Sequence, residues 1–183
     1  MKIYLVLFVL LCVNGCAAFK EASAVYQTSF DFSKVESYSL YERNSEVIEF
    51  QKIDDITRNG IEIAIEKAMD AQGFVYSEMD VADVVVTYHL VGRRGRDIST
   101  YNESVRYCSY CLRANTWQSE NKNWELSPGQ LIIDLVDPKS KRSVWRSVYP
   151  LDIDVEDNSQ EVNRKIQSNV ASMLALYPSQ LIQ

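Results

Sequence analysis

The chain has one histidine, His89, and this scarcity excludes more chemistry than any motif it carries supplies. A Ser-His-Asp or Cys-His enzyme would have to be built around that single ring. It lies between Tyr88 and Leu90 in an apolar run, where a hydrogen-bonded structural histidine is expected. Glycine is also sparse, with six in 183 residues. Neither G-x-x-x-x-G-K-[S/T] nor G-x-G-x-x-G occurs, so no glycine loop cradles a nucleotide phosphate. No excess of positive charge exists either: 19 Lys and Arg stand against 25 Asp and Glu, a net charge of −6. Nucleic-acid affinity comes mainly from neutralising phosphates, so no nucleic-acid partner is expected. Arg93, Arg94 and Arg96 form the one local basic cluster, read either as a solvated turn or as a contact for phosphate, anionic lipid or an acidic partner. There is no internal repeat, no low-complexity tract, and no apolar run of the about 20 residues that cross a membrane as a helix.

What is present begins at the N-terminus. Met1-Lys2 is followed by the unbroken apolar stretch Ile3–Val13 (IYLVLFVLLCV), with the length and position of a signal-peptide core. Val13-Asn14-Gly15-Cys16 then resembles the lipobox of bacterial lipoproteins, with an aliphatic residue at −3, a small one at −1 and cysteine at +1. Asn14 departs from the usual Ala, Ser or Thr at −2. The resemblance implies a signal peptide over 1–15 and lipidation of Cys16, whose thiol becomes a diacylglyceryl thioether. Each buried CH₂ contributes about 0.8 kcal/mol, so two or more chains anchor stably. The rival reading is cleavage at Ala22-Ser23-Ala24, an A-x-A site far beyond the apolar run and behind Lys20 and Glu21. An uncleaved anchor fits poorly on length. By resemblance to Gram-negative sorting, Ala17 in place of aspartate at +2 implies the outer membrane, facing the periplasm. Residues 16–24 form a short tether; its stretch Ala17–Ala24 reaches at most about 28 Å, so the domain over 25–183 should sit close to its membrane.

Four cysteines are present. Cys12 leaves with the signal and Cys16 carries lipid, which leaves Cys108 and Cys111 in an oxidising compartment. A local disulfide is expected for this pair. A redox centre would want a helix N-terminus after a strand, which Val105, Tyr107, Ser109 and Leu112 do not spell. A zinc site needs four ligands, or three plus water; one chain offers the pair, His89 and carboxylates, and His89 in a central strand would meet the thiols only by chance, while two chains could pool their thiols into a Cys₄ site. No metal or other cofactor is expected.

The elements follow from periodicity. Tyr26, Thr28, Phe30 and Phe32 alternate with polar residues as in a strand, and Ser37–Tyr41 is a second. Asp54–Gln72 reads as a helix with an apolar stripe of Ile56, Gly60, Ile61, Ala64, Ile65, Ala68 and Ala71, stopped by Gly73. Val81–Val91 is apolar on both faces and reads as a central strand. Leu131–Val136 and Val144–Tyr149 flank the turn Asp137–Lys141 as a hairpin. Asp152, Asp154, Glu156 and Asp157 alternate with Leu151, Ile153 and Val155, an edge strand with a charged face; a calcium site is the alternative, without EF-hand spacing. Asn158 with Glu161 resembles a capping box that opens a helix striped by Val162, Ile166, Val170, Met173, Leu174 and Tyr177. The order predicts an α+β fold, a mainly antiparallel β-sheet with two helices packed on one face. Tyr101, Tyr107, Tyr110, Trp117 and Trp124 stud the polar stretch 92–128 and form a candidate partner surface, since Tyr and Trp are enriched at interface hot spots; ordinary packing over the sheet is the alternative.

Four stretches together resemble the DUF4136 family of bacterial lipoproteins. Asp31-Phe32-Ser33 with Tyr38 is similar to its "DFS…Y" opening, and Ala82–Tyr88 to its "ADVLVTY" strand. Gly129–Asp137 with Val144-Trp145-Arg146 is similar to "GTLVIDLVD…VWRG", and Met173-Leu174 with Tyr177-Pro178 to "ML…YP". The chain departs at Ser147, where the family usually has Gly, and at Cys108–Cys111. The resemblance implies a periplasm-facing lipoprotein domain of unassigned function, with no catalytic residues to carry over. A non-enzymatic binding or structural role with an envelope partner is the expectation. The alternative is a thiol-dependent metal or redox module on Cys108 and Cys111.

Overall fold

The computed structural model describes residues 22–41, 53–92, 98, 101–102, 105, 117–119 and 126–178. Cys16, Arg93, Arg94, Arg96, Tyr107, Cys108, Tyr110, Cys111 and Trp124 lie outside them, and Trp117 is described in its backbone alone. The strands are β1 (Ser23–Gln27), β2 (Ser37–Leu40), β3 (Val75–Tyr76), β4 (Val84–Leu90), β5 (Trp117–Ser119), β6 (Gln130–Asp137) and β7 (Arg142–Pro150). The two long helices among the described residues are α1 (Asp55–Ala71) and α2 (Ser159–Leu174). One sheet in the order β3-β2-β4-β6-β7-β1-β5 holds the seven strands found among the described residues. It is mostly antiparallel; only β2 pairs in parallel, with β3 and with β4. The fold is α+β, as the periodicity predicts.

Both helices start on side-chain caps. The Asp54 carboxylate accepts from the backbone N–H of Ile56 (3.1 Å) and Thr57 (3.0 Å), satisfying two N–H groups that the first turn leaves open. Asn158 accepts from Glu161 N–H (3.1 Å) while Glu161 accepts from Asn158 N–H (3.0 Å), the reciprocal box expected from the sequence. Beyond α1, Gly73 adopts φ +90°, a conformation L side chains resist.

Both helices pack on one face of the sheet. Ile61, Ala64, Ile65 and Met69 of α1 and Ile166, Val170, Met173 and Leu174 of α2 meet Val84, Val86, Leu131, Ile133, Leu135 and Trp145 in one buried cluster. Fully burying such a side chain stabilises by about 1.5–3 kcal/mol. The helices approach closely at Gly60, where a Cβ would stand 3.1 Å from Asn163 Oδ1 and 3.3 Å from Ile166 Cδ1. Strand alternation sends Ile132 and Val148 to the opposite face, where Val91, Tyr101 and Val105 cover them.

Several sequence expectations change. The alternation from Tyr26 ends at Gln27, because Asp31 accepts from Ser33 N–H (3.3 Å) and Oγ (2.6 Å) and turns Phe32–Lys34 into a 3₁₀ turn. This local bonding competes with a strand. Phe30 and Phe32 keep their apolar role in an edge-to-face cluster with Tyr26 and Tyr177. Ile56 is 71% exposed rather than packed, and Met69 completes the buried row of α1 instead. The expected edge strand at Asp152–Asp157 is irregular chain and a turn. Lys165 gathers it, donating to Asp152 O, Asp154 and Asp157, and Asp152 takes φ +48°. The sheet also begins before residue 25, since Ser23 and Ala24 already pair with Val148 and Ser147 in β1.

The stretches that carry the family resemblance prove to be staples. Asp83 accepts from Glu36 N–H (3.1 Å), Ser37 N–H (2.9 Å) and Ser37 Oγ (2.7 Å), tying the start of β4 to the start of β2. Tyr177 donates its hydroxyl to Phe32 O at 2.7 Å and joins the C-terminus to the first turn. Ser147, the departure from the family's glycine, is fully buried and donates to Ser23 O at 2.9 Å.

Candidate functional site

Two constellations stand out. The first is a row of polar side chains on the face of the sheet opposite α1 and α2. Thr87 of β4 lies opposite Asp134 of β6, and Asp134 opposite Arg146 of β7, so three neighbouring strands align them. Asp134 is 0% and Arg146 2% exposed. The Arg146 guanidinium donates Nε to both Asp134 oxygens (2.9 and 3.1 Å) and Nη2 to Oδ2 (2.9 Å). Its Nη1 donates to Asn102 Oδ1 at 3.0 Å. Asp134 also accepts from Tyr101 Oη and from Ser143 Oγ, both at 2.5 Å. Thr87 Oγ1 shares a 3.0 Å hydrogen bond with the Tyr101 hydroxyl. Tyr101 stacks on His89 with ring centroids 4.8 Å apart and lies under the Arg146 guanidinium.

Burial first, then the Asp134 charge, holds the Tyr101 hydroxyl well above its ordinary pKa of 10.0. It therefore remains a proton donor at neutral pH. The chemistry of the row is charge matching: one carboxylate, one guanidinium and three hydroxyls satisfy one another, with Asn102 beside them. A buried charge removed from its partner is costly, so the row fixes how Tyr101 and Asn102 lie on the sheet. Tyr101, expected on a partner surface, is instead 6% exposed and belongs to this interior. His89, the penultimate residue of β4, is 1% exposed within the same layer. Alternation could have placed Thr87, His89, Asp134 and Arg146 on one face, but nothing in the sequence selected Tyr101 to close it.

The second constellation is a cleft of 770 Å³ at one end of the sheet. It opens where β4 and β7 end and where β1 and β6 begin, beside the first turn of α1. Ile53, Leu90, Val148, Leu151 and Ile153 supply its apolar wall. Asp54, Asp152 and Asp154 supply carboxylates, and no lysine or arginine lines it among the described residues. Gly129 forms one lip at φ +84°, donating to Val91 O (2.9 Å) and accepting from Leu151 N–H (3.1 Å). Hydrogen bonds from Thr57, then from Ile56, keep the Asp54 carboxyl below its ordinary 3.8 and thus ionised. The volume lies within the about 300–1,000 Å³ of clefts that take up ligands. The sequence reading missed the cleft, because its walls come from five separate stretches. Among the described residues no group of three or more His, Cys, Asp or Glu could hold a metal ion, and no helix is long and apolar enough to cross a membrane.

Comparison with known proteins gives the following. The family described as "Domain of unknown function (DUF4136)" matches residues 22–179. A crystal structure of a DUF4136 family protein from Bacteroides thetaiotaomicron is similar at a TM-score of 0.57 and 15% identity, over 86% of this chain and 95% of that one. A PDZ domain protein from Parabacteroides distasonis is similar at a TM-score of 0.45 and 12% identity, over 86% of this chain and 36% of that one. A PelC dodecamer from Paraburkholderia phytofirmans is similar at a TM-score of 0.42 and 12% identity, over 82% of this chain and 96% of that one. No curated protein matches the chain.

Proposed function

The chain belongs to the DUF4136 family, and from that premise we propose that it is a lipid-anchored envelope protein. Its domain faces the periplasm from the outer membrane and serves a binding or structural role rather than a catalytic one. The observation that carries this reading is the placing of Val13-Asn14-Gly15-Cys16 directly after the apolar run, with β1 starting at Ser23. From Cys16 the chain reaches the sheet across so few residues that the domain stays within about 25 Å of the bilayer surface. The partner is a component of the envelope. Tyr107, Tyr110, Trp117 and Trp124 remain the candidate contact residues, with Tyr101 removed from that set by its burial.

Metabolic labelling with an alkyne fatty acid tests the anchor. The reading expects label on the wild-type protein and recovery of it with membranes. Cys16→Ser should lose the label and leave the membrane fraction. Label that persists in Cys16→Ser, or a wild-type protein that is soluble and unlabelled, contradicts it.

A further inference from the structure

The cleft end of the sheet is also the end at which the chain enters the fold. Ser23 lines the cleft and opens β1, and it pairs with Val148 near the end of β7. α1 begins there too, since Asp54 and Thr57 line the cleft. α2 runs beside α1 in the same direction: a Cβ at Gly60 would meet Asn163 and Ile166, and Gln72 donates to Leu174 O at 3.1 Å. The two most exposed large apolar side chains among the described residues stand at this end. They are Ile56, in the first turn of α1, and Val155, which follows Asp154 of the cleft rim. Ile153, on the cleft wall, is exposed as well.

Ordered backbone presents these side chains to solvent. Asp54 caps the turn that carries Ile56. Val155 tops a turn closed by Asp157 N–H donating to Asp154 O (3.1 Å) and Asp154 N–H donating to Asp157 Oδ2 (2.8 Å). Lys165 of α2 ties that turn down through Asp152 O, Asp154 and Asp157. Apolar side chains held outward in this way gain free energy by leaving water. The tether says where they can go. Cys16 lies seven positions before Ser23, at most about 25 Å of extended chain. α1 alone is about 25 Å long, so the opposite end of the sheet, where Val81 precedes β4, stands a helix length farther from the anchor. The anchor also makes a second contact with the same membrane intramolecular, for which weak apolar insertion suffices.

We infer that Ile56, Ile153 and Val155 form a docking tip that enters the headgroup layer of the bilayer to which Cys16 is anchored. The inference rests on the proposal that Cys16 is acylated. Residues 151–157 carry four acids and no base, so the surface they meet is zwitterionic rather than anionic. The consequence is orientation: the cleft end stands on the membrane and the end at Val81 points away from it.

A benzophenone-bearing phenylalanine analogue, placed singly at Val155, Ile56 or Val81 of the full chain, tests this. The mature protein is extracted from membranes, reconstituted in phosphatidylcholine vesicles and irradiated, and its peptides are weighed. Lipid adducts at Val155 and at Ile56 should exceed those at Val81, itself an exposed site, by about fivefold or more. With the probe at Ile153, Ile56→Ser with Val155→Ser should lower the adduct roughly threefold or more, since the apolar area that enters the bilayer shrinks. Replacing half the lipid with phosphatidylglycerol should lower the adduct at Val155. The N-terminal peptide of the same sample reports whether Cys16 is acylated. An acylated chain whose adducts at Val155 and Ile56 only match those at Val81 overturns the inference and leaves the anchor intact. So does a yield at Ile153 that ignores the two serines, or a yield at Val155 that holds or rises with anionic lipid. A chain unacylated at Cys16 overturns both.

Discussion

Replacing Arg146 with methionine isolates the energetics of the buried row. The substitution keeps the aliphatic bulk and deletes three hydrogen bonds to Asp134 and one to Asn102. Asp134, at 0% exposure, then keeps only Tyr101 and Ser143 against its charge. Removing one partner of a buried pair costs about 3–5 kcal/mol. Against a total stability of about 5–15 kcal/mol this is a large share. Urea unfolding of the detergent-solubilised protein reads the loss, with Trp145, fully buried beside the site, as a fluorescence reporter. At a slope of about 2 kcal/mol per molar, the midpoint should fall by about 2 M with the slope unchanged. The companion Asp134→Leu with Arg146→Met removes both charges, and apolar replacement of a whole buried pair is often neutral or better. It should recover most of the loss. A single variant that costs under about 1 kcal/mol, or a double variant no more stable than the single, would refute the claim that an unpaired buried charge is the penalty.

Tyr101→Phe deletes one of the bonds on Asp134 and leaves Thr87 without that partner, and should cost about 1–3 kcal/mol in the same urea assay; a neutral result would mean that Tyr101 is not held on the sheet by this hydroxyl. Gly60→Val should destabilise by about 1–3 kcal/mol, because Asn163 and Ile166 leave no room for its methyl groups; an unchanged thermal midpoint argues against the close helix approach. Acid stability follows from carboxyls held below 3.8: Asp83 chiefly by Ser37, Asp54 by Thr57, and Asp157 by Lys165. Their contribution is full above that ordinary value and is lost as pH falls through the lower native values. Asp83→Asn should therefore flatten the decline of the urea midpoint between about pH 5 and about pH 2, and an unaltered slope counts against it. Cys108 and Cys111 should resist alkylation in the unreduced, unfolded protein and react after reduction; prompt labelling without reductant removes the disulfide expectation.

The fold was legible where one periodicity governed a long stretch. The stripes of α1 and α2, the apolar β4 and the β6–β7 hairpin turned by Asp137 all follow from spacing. What escaped was set by single polar atoms. Asp31 ends the strand alternation before Phe32, and Lys165 gathers the acids that alternation assigns to an edge strand. β3 is two residues long, too short for any period to register. The polar row was half legible: alternation puts His89, Asp134 and Arg146 on one face, but only the folded chain shows Tyr101 lying over them. The cleft was not legible, since its lining joins residues from Ser23 to Asp154.

The account rests most heavily on Cys16, seven positions before the first strand. Mass spectrometry of the N-terminal peptide, taken from protein extracted from membranes, addresses it directly. The account predicts a mature chain that begins at Cys16, with its sulfur in a diacylglyceryl thioether. An unacylated chain that begins at Val25, or one that retains Met1–Gly15, would contradict it.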